Sequence, residues 1–563
     1  MVRLFPGIGS DCRPGAVATS PSMECDHIVV GAGSAGCVLA RRLAEGGASV
    51  LLLEAGGSDA WPSLRVPIGY GRSFYNPRVN WMYETEPEEA LAGRRGYWPR
   101  GRVLGGSSTI NAMVYMRGLA RDFDDWRDAG NPGWGWADVL TSFRSLESYH
   151  GAGSEDRAAR GADGPLHISD VAAVCHPLCA DFLRACEQTG LPRSPDLNGA
   201  DPEGVSYFQI TTKSGLRHSA ARAFIPPSCR PPGLLVELHA RVLRIELDGR
   251  RAVGVTYRKR RRLVTARARR GVVLAAGAVA SPALLQVSGI GEPALLARHG
   301  IAVAHALPAV GAHLQDHLCI DHLYRARVPT LNQELGRLPG QIRAALRYAL
   351  FRTGPLALSV NQAGGLVRST PDQKAPDMEL YFSPLSYTRA RPGRRALMQP
   401  DPFPGFLLSA QPARPFSRGR VEIASADPSA QPRIVPASLS DERDLASLLR
   451  GARLLRRIAA APAMAAVVAE EVAPGPGIED DAAMIQDIRA RASTVFHPVG
   501  TCRMGASQVD SVVDARLRVH GLAGLWVADA SVFPSITSAN TNAPVMMVAE
   551  KGAVIIRQDA GKL

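Results

Sequence analysis

Apolar residues come in short unbroken runs early in the chain and in alternating runs further on. Ile28-Val29-Val30 and Val50-Leu51-Leu52-Leu53 are unbroken, as in strands covered on both faces of a parallel sheet. Between them lies the turn Gly31-Ala32-Gly33-Ser34-Ala35-Gly36, and the alanine- and leucine-rich stretch 37–45 predicts a helix. Residues 234–238, 241–247 and 272–278 predict further strands, the last buried and ending near Gly277. Ser281 and Pro282 then read as the cap and first turn of a helix. Residues 111–116 read as a helix of small residues, and 178–189 as another helix. From residue 318 to about 488 the runs alternate (378–382, 406–410, 420–424), with a helix over 441–461. That pattern predicts an antiparallel sheet flanked by helices. Strand 525–528 ends at Asp529-Ala530, and a last helix is expected from near Asn540 to about Ile556, with Pro544 in its first turn and Glu550 and Lys551 solvated. Residues 1–23 lack any sustained apolar core and are expected to be a disordered leader, with Met23 an alternative start.

The glycine turn carries the first chemistry. Gly31 suits the tight turn, Gly33 leaves backbone bare for a pyrophosphate, and Gly36 lets helix and strand pack closely. The helix N-terminus offers N–H groups and a positive dipole end to phosphate, and Glu54 stands where a carboxylate accepts from an adenosine ribose. This points to a dinucleotide and leaves FAD and NAD both open. A second glycine-rich block, Gly101-Arg102-Val103-Leu104-Gly105-Gly106 followed by Ser107, Ser108, Thr109, Ile110 and Asn111, is another place where backbone meets a ligand. Two such loops suit a long cofactor stretched between them.

At 563 residues the chain exceeds one ordinary domain, and 46% apolar with 21% charged residues is globular. The net charge of +13 rests almost wholly on arginine, densest at 258–262. Alternating stretches flank that cluster and no aromatic residues interleave it, so it reads as a hairpin tip and no nucleic acid is expected. Nine cysteines without a Cys-x-x-Cys pair indicate free thiols in a reducing compartment. Cys175, Cys179 and Cys186 read as core residues, and no metal site is expected. The charge-free run 272–291 is broken by Gly, Ser and Pro, so no transmembrane segment is expected. The location implied is cytoplasmic, or peripheral to a membrane.

In order along the chain, Gly31 to Gly36 with Glu54, the block 101–124, the block 277–291 (Gly-Ala-Val-Ala-Ser-Pro-Ala-Leu-Leu-Gln-Val-Ser-Gly-Ile-Gly) and the block 497–505 (His-Pro-Val-Gly-Thr-Cys-Arg-Met-Gly) resemble the glucose–methanol–choline (GMC) family of flavin-dependent oxidoreductases. The resemblance runs from about Asp26 to Arg557. It implies an α/β fold, with a discontinuous Rossmann-like FAD-binding domain (24–160, 230–318 and 488–563) and an α+β substrate domain on an antiparallel sheet (161–229 and 319–487). It implies that Gly31, Gly33, Ser34, Ala35, Gly36 and Glu54 hold the ADP half of FAD and that Val242 meets the adenine. Gly106, Asn111, Ala112, Met113 and Val114 would line the flavin, with Asp529 and Ala530 at the ribityl–pyrophosphate region. His497 matches the family's active-site histidine, and Asn540 its second position. Some members tether FAD through a histidine where this chain has Ile110, so noncovalent FAD is expected.

The reaction implied is oxidation of a primary alcohol to an aldehyde by hydride transfer to flavin N5. His497 would be the general base, and electrons would pass to a quinone, another acceptor or oxygen. A neutral imidazole, with its ordinary pKa near 6.5, suits the base. Asn540 would donate to the alcohol oxygen, and Cys502 reads as packing. Choline dehydrogenase, an alcohol oxidase of the same family, and a lyase or photoenzyme on this fold are the alternatives.

Overall fold

A computed structural model describes residues 23–388 and 399–560; the expected leader, apart from residue 23, lies outside them. Strand β1 (Met23–Val30) begins at Met23, five residues before its first fully apolar run. It pairs in parallel with β2 (Val50–Leu53), Ile28 opposite Leu51, and β2 pairs in parallel with β3 (Leu234–Glu237). On its other side β1 runs parallel to β6 (Arg262–Leu274), which joins β5 (Arg251–Lys259) and β4 (Ala240–Asp248) in an antiparallel meander. The order is β3-β2-β1-β6-β5-β4, and strand Leu525–Val527 also pairs with β6. β6 joins two patterns in one strand. Its first half alternates because it forms a hairpin with one face in water, and its end is unbroken because β1 and Leu525–Val527 enclose it. The arginines at 258–262 flank that hairpin's tip.

Helix α1 (Ser34–Glu45) lies on this sheet, with Val38, Leu39 and Leu43 fully buried. The last helix, Asn542–Ala560, packs along α1. Arg42 holds Glu550 at 2.9 Å, and the Lys551 ammonium stands 5.6 Å from the Trp134 ring, so these two charges tie elements together and are not simply solvated. Helix α2 (Gly277–Val287) begins at Gly277 with Pro282 inside it, so Ser281 is not its cap. The Asp529 carboxylate takes the cap's place, accepting from Gly277 N–H (2.8 Å) and Ser281 Oγ (2.6 Å).

A second core lies against an antiparallel sheet of order β8-β9-β10-β7-β11. Its strands are β7 (Leu318–Ala326), β8 (Ala363–Val367), β9 (Met378–Ser383), β10 (Gly405–Pro412) and β11 (Val468–Ala473). Residues 420–422 are not in it; they form a two-stranded hairpin with Arg433–Val435. Helix α3 (Leu338–Phe351) lies outside the sheet, and helix α4 (Glu442–Ala460) packs on β10, capped by Asp441. Helix Leu178–Gln188 joins this core with Cys179 and Cys186 fully buried, whereas Leu166, Ile168 and Ala220–Phe224 belong to the first core. The stretch 161–229 therefore divides between the two. Among the described residues, no helix is long and apolar enough to cross a membrane.

Candidate active site

A cavity of about 750 Å³ runs from the glycine turn after β1 to the face of the second sheet. Every site residue named from the sequence lines it: Gly31, Gly33, Ser34, Ala35, Glu54, Gly106, Asn111 to Val114, Val242, His497, Asp529, Ala530 and Asn540 all do, save Gly36. Gly36 lies behind the turn, where a Cβ would stand 1.8 Å from the Gly31 carbonyl oxygen. A Cβ on Gly33 would meet nothing nearer than Gly106 Cα, at 4.0 Å, so Gly33 keeps the cavity wall bare. A Cβ on Gly106 would come within 2.6 Å of Gly33 Cα, and Gly105 N–H donates to the Ala32 carbonyl at 2.8 Å. The two glycine loops are in contact and form one cradle at the N-terminus of α1.

Glu54 is buried at the end of β2 and accepts from Ala32 N–H (3.0 Å) and Gly56 N–H (2.8 Å), while burial pushes its carboxyl up to about 7. Ala240 N–H donates to the Glu54 carbonyl at 2.8 Å, which brings Val242 on β4 to the same end. The bare glycines, the α1 N-terminus and a carboxylate lining the cavity at the end of β2 fit the ADP half of FAD. The Asp529 carboxylate is filled by Gly277, Ser281 and both donors of Ser531, and its carbonyl accepts from Val532 N–H at 3.2 Å, so what it offers a ligand is its backbone N–H.

Asn111 to Met116 is not helical. A 3₁₀ turn, Gly106–Thr109, is followed by an irregular segment with Met113 at φ 66°, in which Val114 bridges to Ile210. Asn111 Oδ1 accepts from Met113 N–H (3.1 Å) and Arg217 Nη1 (3.0 Å), holding 111–114 against the cavity.

At the other end, segments 315–319 and 493–499 run side by side: Gln315 and Val499 exchange backbone hydrogen bonds, and Ser493–Thr494 pairs with Leu318 and Cys319. Asp316 accepts the His497 backbone N–H at 2.7 Å and the Thr494 hydroxyl, and Arg100 Nη2 donates to the Phe496 carbonyl at 2.6 Å. Burial pushes Asp316 up to about 7. These bonds hold Phe496 at φ 71° and aim the next side chain, His497, into the cavity. His497 Nδ1 lies 3.0 Å from His317 Nδ1, and His317 Nε2 lies 2.9 Å from the Ala413 carbonyl.

A carbonyl only accepts, so His317 Nε2 carries its proton. Burial lowers His317 to about 4, so its Nδ1 is bare and accepts from His497 Nδ1–H. His497 is then left with a bare Nε2, 3.2 Å from Asn540 Nδ2. Burial first, then His317 and Arg100, hold its pKa well below 6.5. Asn540 Nδ2 also donates to the Tyr381 hydroxyl on β9 at 3.3 Å. Phe74, Tyr75, Tyr97 and Phe496 form an aromatic wall nearby, Tyr75 stacked on Tyr97 at 4.9 Å. Cys502 is buried and away from the cavity.

Sequence reasoning missed His317, Asp316, Arg100 and Tyr381. The signal available was a polar trio, Gln315-Asp316-His317, directly ahead of strand β7.

The sequence profile of the GMC oxidoreductases matches residues 25–319 and 415–549. The chain is 40% identical to an alcohol dehydrogenase [acceptor] of Pseudomonas putida, across 94% of this chain and 95% of that one. It is 39% identical to mitochondrial choline dehydrogenase of Homo sapiens, across 95% and 90%. Among solved structures, pyridoxine 4-oxidase from Mesorbium loti superposes with a TM-score of 0.83 at 32% identity, across 94% of this chain and 98% of that one. The cradle, the paired histidines and these likenesses converge: the chain belongs to the GMC oxidoreductase family, an FAD-dependent oxidoreductase acting on CH–OH donors.

Proposed function

We propose that the chain oxidises a primary alcohol to an aldehyde with His497 as general base, in the cytoplasm, using FAD bound without a covalent link and a quinone or similar acceptor. The observation that carries the reading is the chain of contacts from the Ala413 carbonyl through His317 to His497, which leaves His497 Nε2 bare toward the cavity beside the Asn540 amide. FAD held by the glycine cradle would supply the acceptor for the hydride that leaves the alcohol carbon. His497 Nε2 accepts the hydroxyl proton while its Nδ1–H goes on donating to His317 Nδ1, which stabilises the imidazolium that forms. Asn540 Nδ2 donates to the alcohol oxygen as negative charge develops there. The aromatic wall excludes water from the reacting oxygen. Ile110 stands where a tethering histidine would be, no disulfide joins the described cysteines, and a relative at 40% identity bears the name alcohol dehydrogenase [acceptor].

The test is anaerobic stopped-flow reduction of the bound flavin by a panel of alcohols. His497→Ala should retain FAD and slow reduction by roughly 10²–10⁴-fold, and Asn540→Ala by on the order of ten- to a hundredfold. Acid precipitation should release all flavin. Near wild-type reduction in His497→Ala would refute the base, and colour left in the pellet would refute noncovalent binding.

A further inference from the structure

Helix α3 turns its apolar side away from the protein. Of its fourteen residues only Ala344 and Tyr348 are buried, and Tyr348 anchors the helix by donating to the Gly215 carbonyl at 2.9 Å. At about 3.6 residues per turn, Leu338, Ile342, Ala345, Leu346, Ala349 and Leu350 gather on the opposite side. Leu338 is 68% exposed and Leu350 71%, and Phe351 at the helix end is 69% exposed. A core-facing helix would bury such a stripe.

The charges around it have one sign. Arg337, Arg343, Arg347 and Arg352 flank the stripe, and residues 335–371 contain no aspartate or glutamate. Among the described residues none of these four arginines is in an ion pair. An exposed apolar stripe bordered by unpaired arginines matches the interface of an anionic bilayer, apolar side chains at the acyl boundary and guanidiniums at the headgroup phosphates. An acidic protein groove would meet the arginines but would also need a long apolar face, whereas a lipid surface supplies both everywhere. The place in the fold agrees: α3 packs on the turn Pro355–Ala357, which packs on Pro67–Gly69, and the next residue, Tyr70, lines the cavity.

We infer that the outward face of α3 docks this protein on an anionic phospholipid surface. The helix lies in the plane of the headgroups, and the Tyr70 side of the cavity faces the lipid. This holds whichever alcohol and acceptor the enzyme uses.

The experiment is sedimentation of the FAD-loaded protein with vesicles of phosphatidylcholine containing about a third phosphatidylglycerol, against phosphatidylcholine alone. Wild type should sediment with the anionic vesicles and lose binding at high salt. Leu346→Glu/Leu350→Glu should weaken binding by on the order of tenfold or more, with flavin content and turnover with a water-soluble dye acceptor unchanged. Arg343→Ser/Arg347→Ser should abolish the preference for phosphatidylglycerol. Wild type that fails to sediment, or a Leu346→Glu/Leu350→Glu protein that binds equally, overturns the inference. Light scattering decides the rival occupant: wild-type dimers that Leu346→Glu/Leu350→Glu converts to monomers, with no vesicle binding, assign the face to a second copy of the chain.

Discussion

His317 and His497 meet nitrogen to nitrogen, Nδ1 to Nδ1 at 3.0 Å, although 180 residues separate them. Two neutral imidazoles share one proton in such a contact, so the Ala413 carbonyl behind His317 decides which of them donates. His317 is thus a positioning residue for the base.

His317→Gln should keep most activity, because the two amide atoms of glutamine can accept from His497 Nδ1–H and donate to the Ala413 carbonyl. His317→Leu should slow flavin reduction by on the order of tenfold to a thousandfold, since the base is then free to take the wrong tautomer. Flavin reduction rates of the two variants at equal FAD content check this. Equal rates would mean that His317 only fills space.

The base works when neutral, and burial holds His497 well below 6.5. Activity is therefore present above that lowered value and is lost only as the pH falls through it. Flavin reduction should be flat across pH 6.5–8, with its acid limb below 6.5, and the limb should vanish in His497→Ala. The ordinary imidazole value suggested by the sequence alone would put the limb at 6.5 itself, so the pH profile separates the two. A step near pH 7 that survives His497→Ala would report Asp316, which burial pushes up to about 7.

Gly33 and Gly36 should fail differently. A methyl on Gly36 strikes the Gly31 carbonyl at 1.8 Å, so Gly36→Ala should lower the melting temperature of the apoprotein. A methyl on Gly33 has 4.0 Å of clearance within the protein, so Gly33→Ala should fold normally and bind FAD on the order of tenfold or more weakly. Flavin titration and thermal melts of both variants give the comparison.

Glu147 is fully buried and ties Arg117 and Arg160 together, the latter 2.6 Å from Asp196. Arg160 also lies over the Tyr149 ring at 3.8 Å. Removing the carboxylate leaves the buried Arg117 without its counter-ion, while Arg160 keeps Asp196, so Glu147→Gln should cost about 3–5 kcal/mol. A lower melting temperature with unchanged reduction rates checks it; loss of activity without loss of stability would count against a structural role.

What could be read in the sequence depended on how local its cause is. The glycine turn, its strands and its helix were legible because each follows from neighbours in the chain. The helix expected at 111–116 is irregular because Val114 pairs with Ile210, and no local pattern announces that bridge. Ser281 looked like a cap because the true one, Asp529, lies 252 residues from Gly277. His317 went unread because its meaning comes from the loop that carries His497. The resemblance named His497 and Asn540; only the fold shows what surrounds them.

The pairing of α1 with the helix Asn542–Ala560 bears on how the protein is made. The phosphate cradle is translated among the first residues, yet α1 covers its apolar side with residues translated hundreds of positions later, clasped by Arg42 and Glu550. Until those residues leave the ribosome, the nucleotide-binding half must wait with Leu39 and the rest of that α1 face uncovered, prone to sticking and in need of shielding. A chain cut short before residue 525 would lack a strand of the first sheet as well as that cover, and would be a substrate for proteases rather than a smaller flavoprotein.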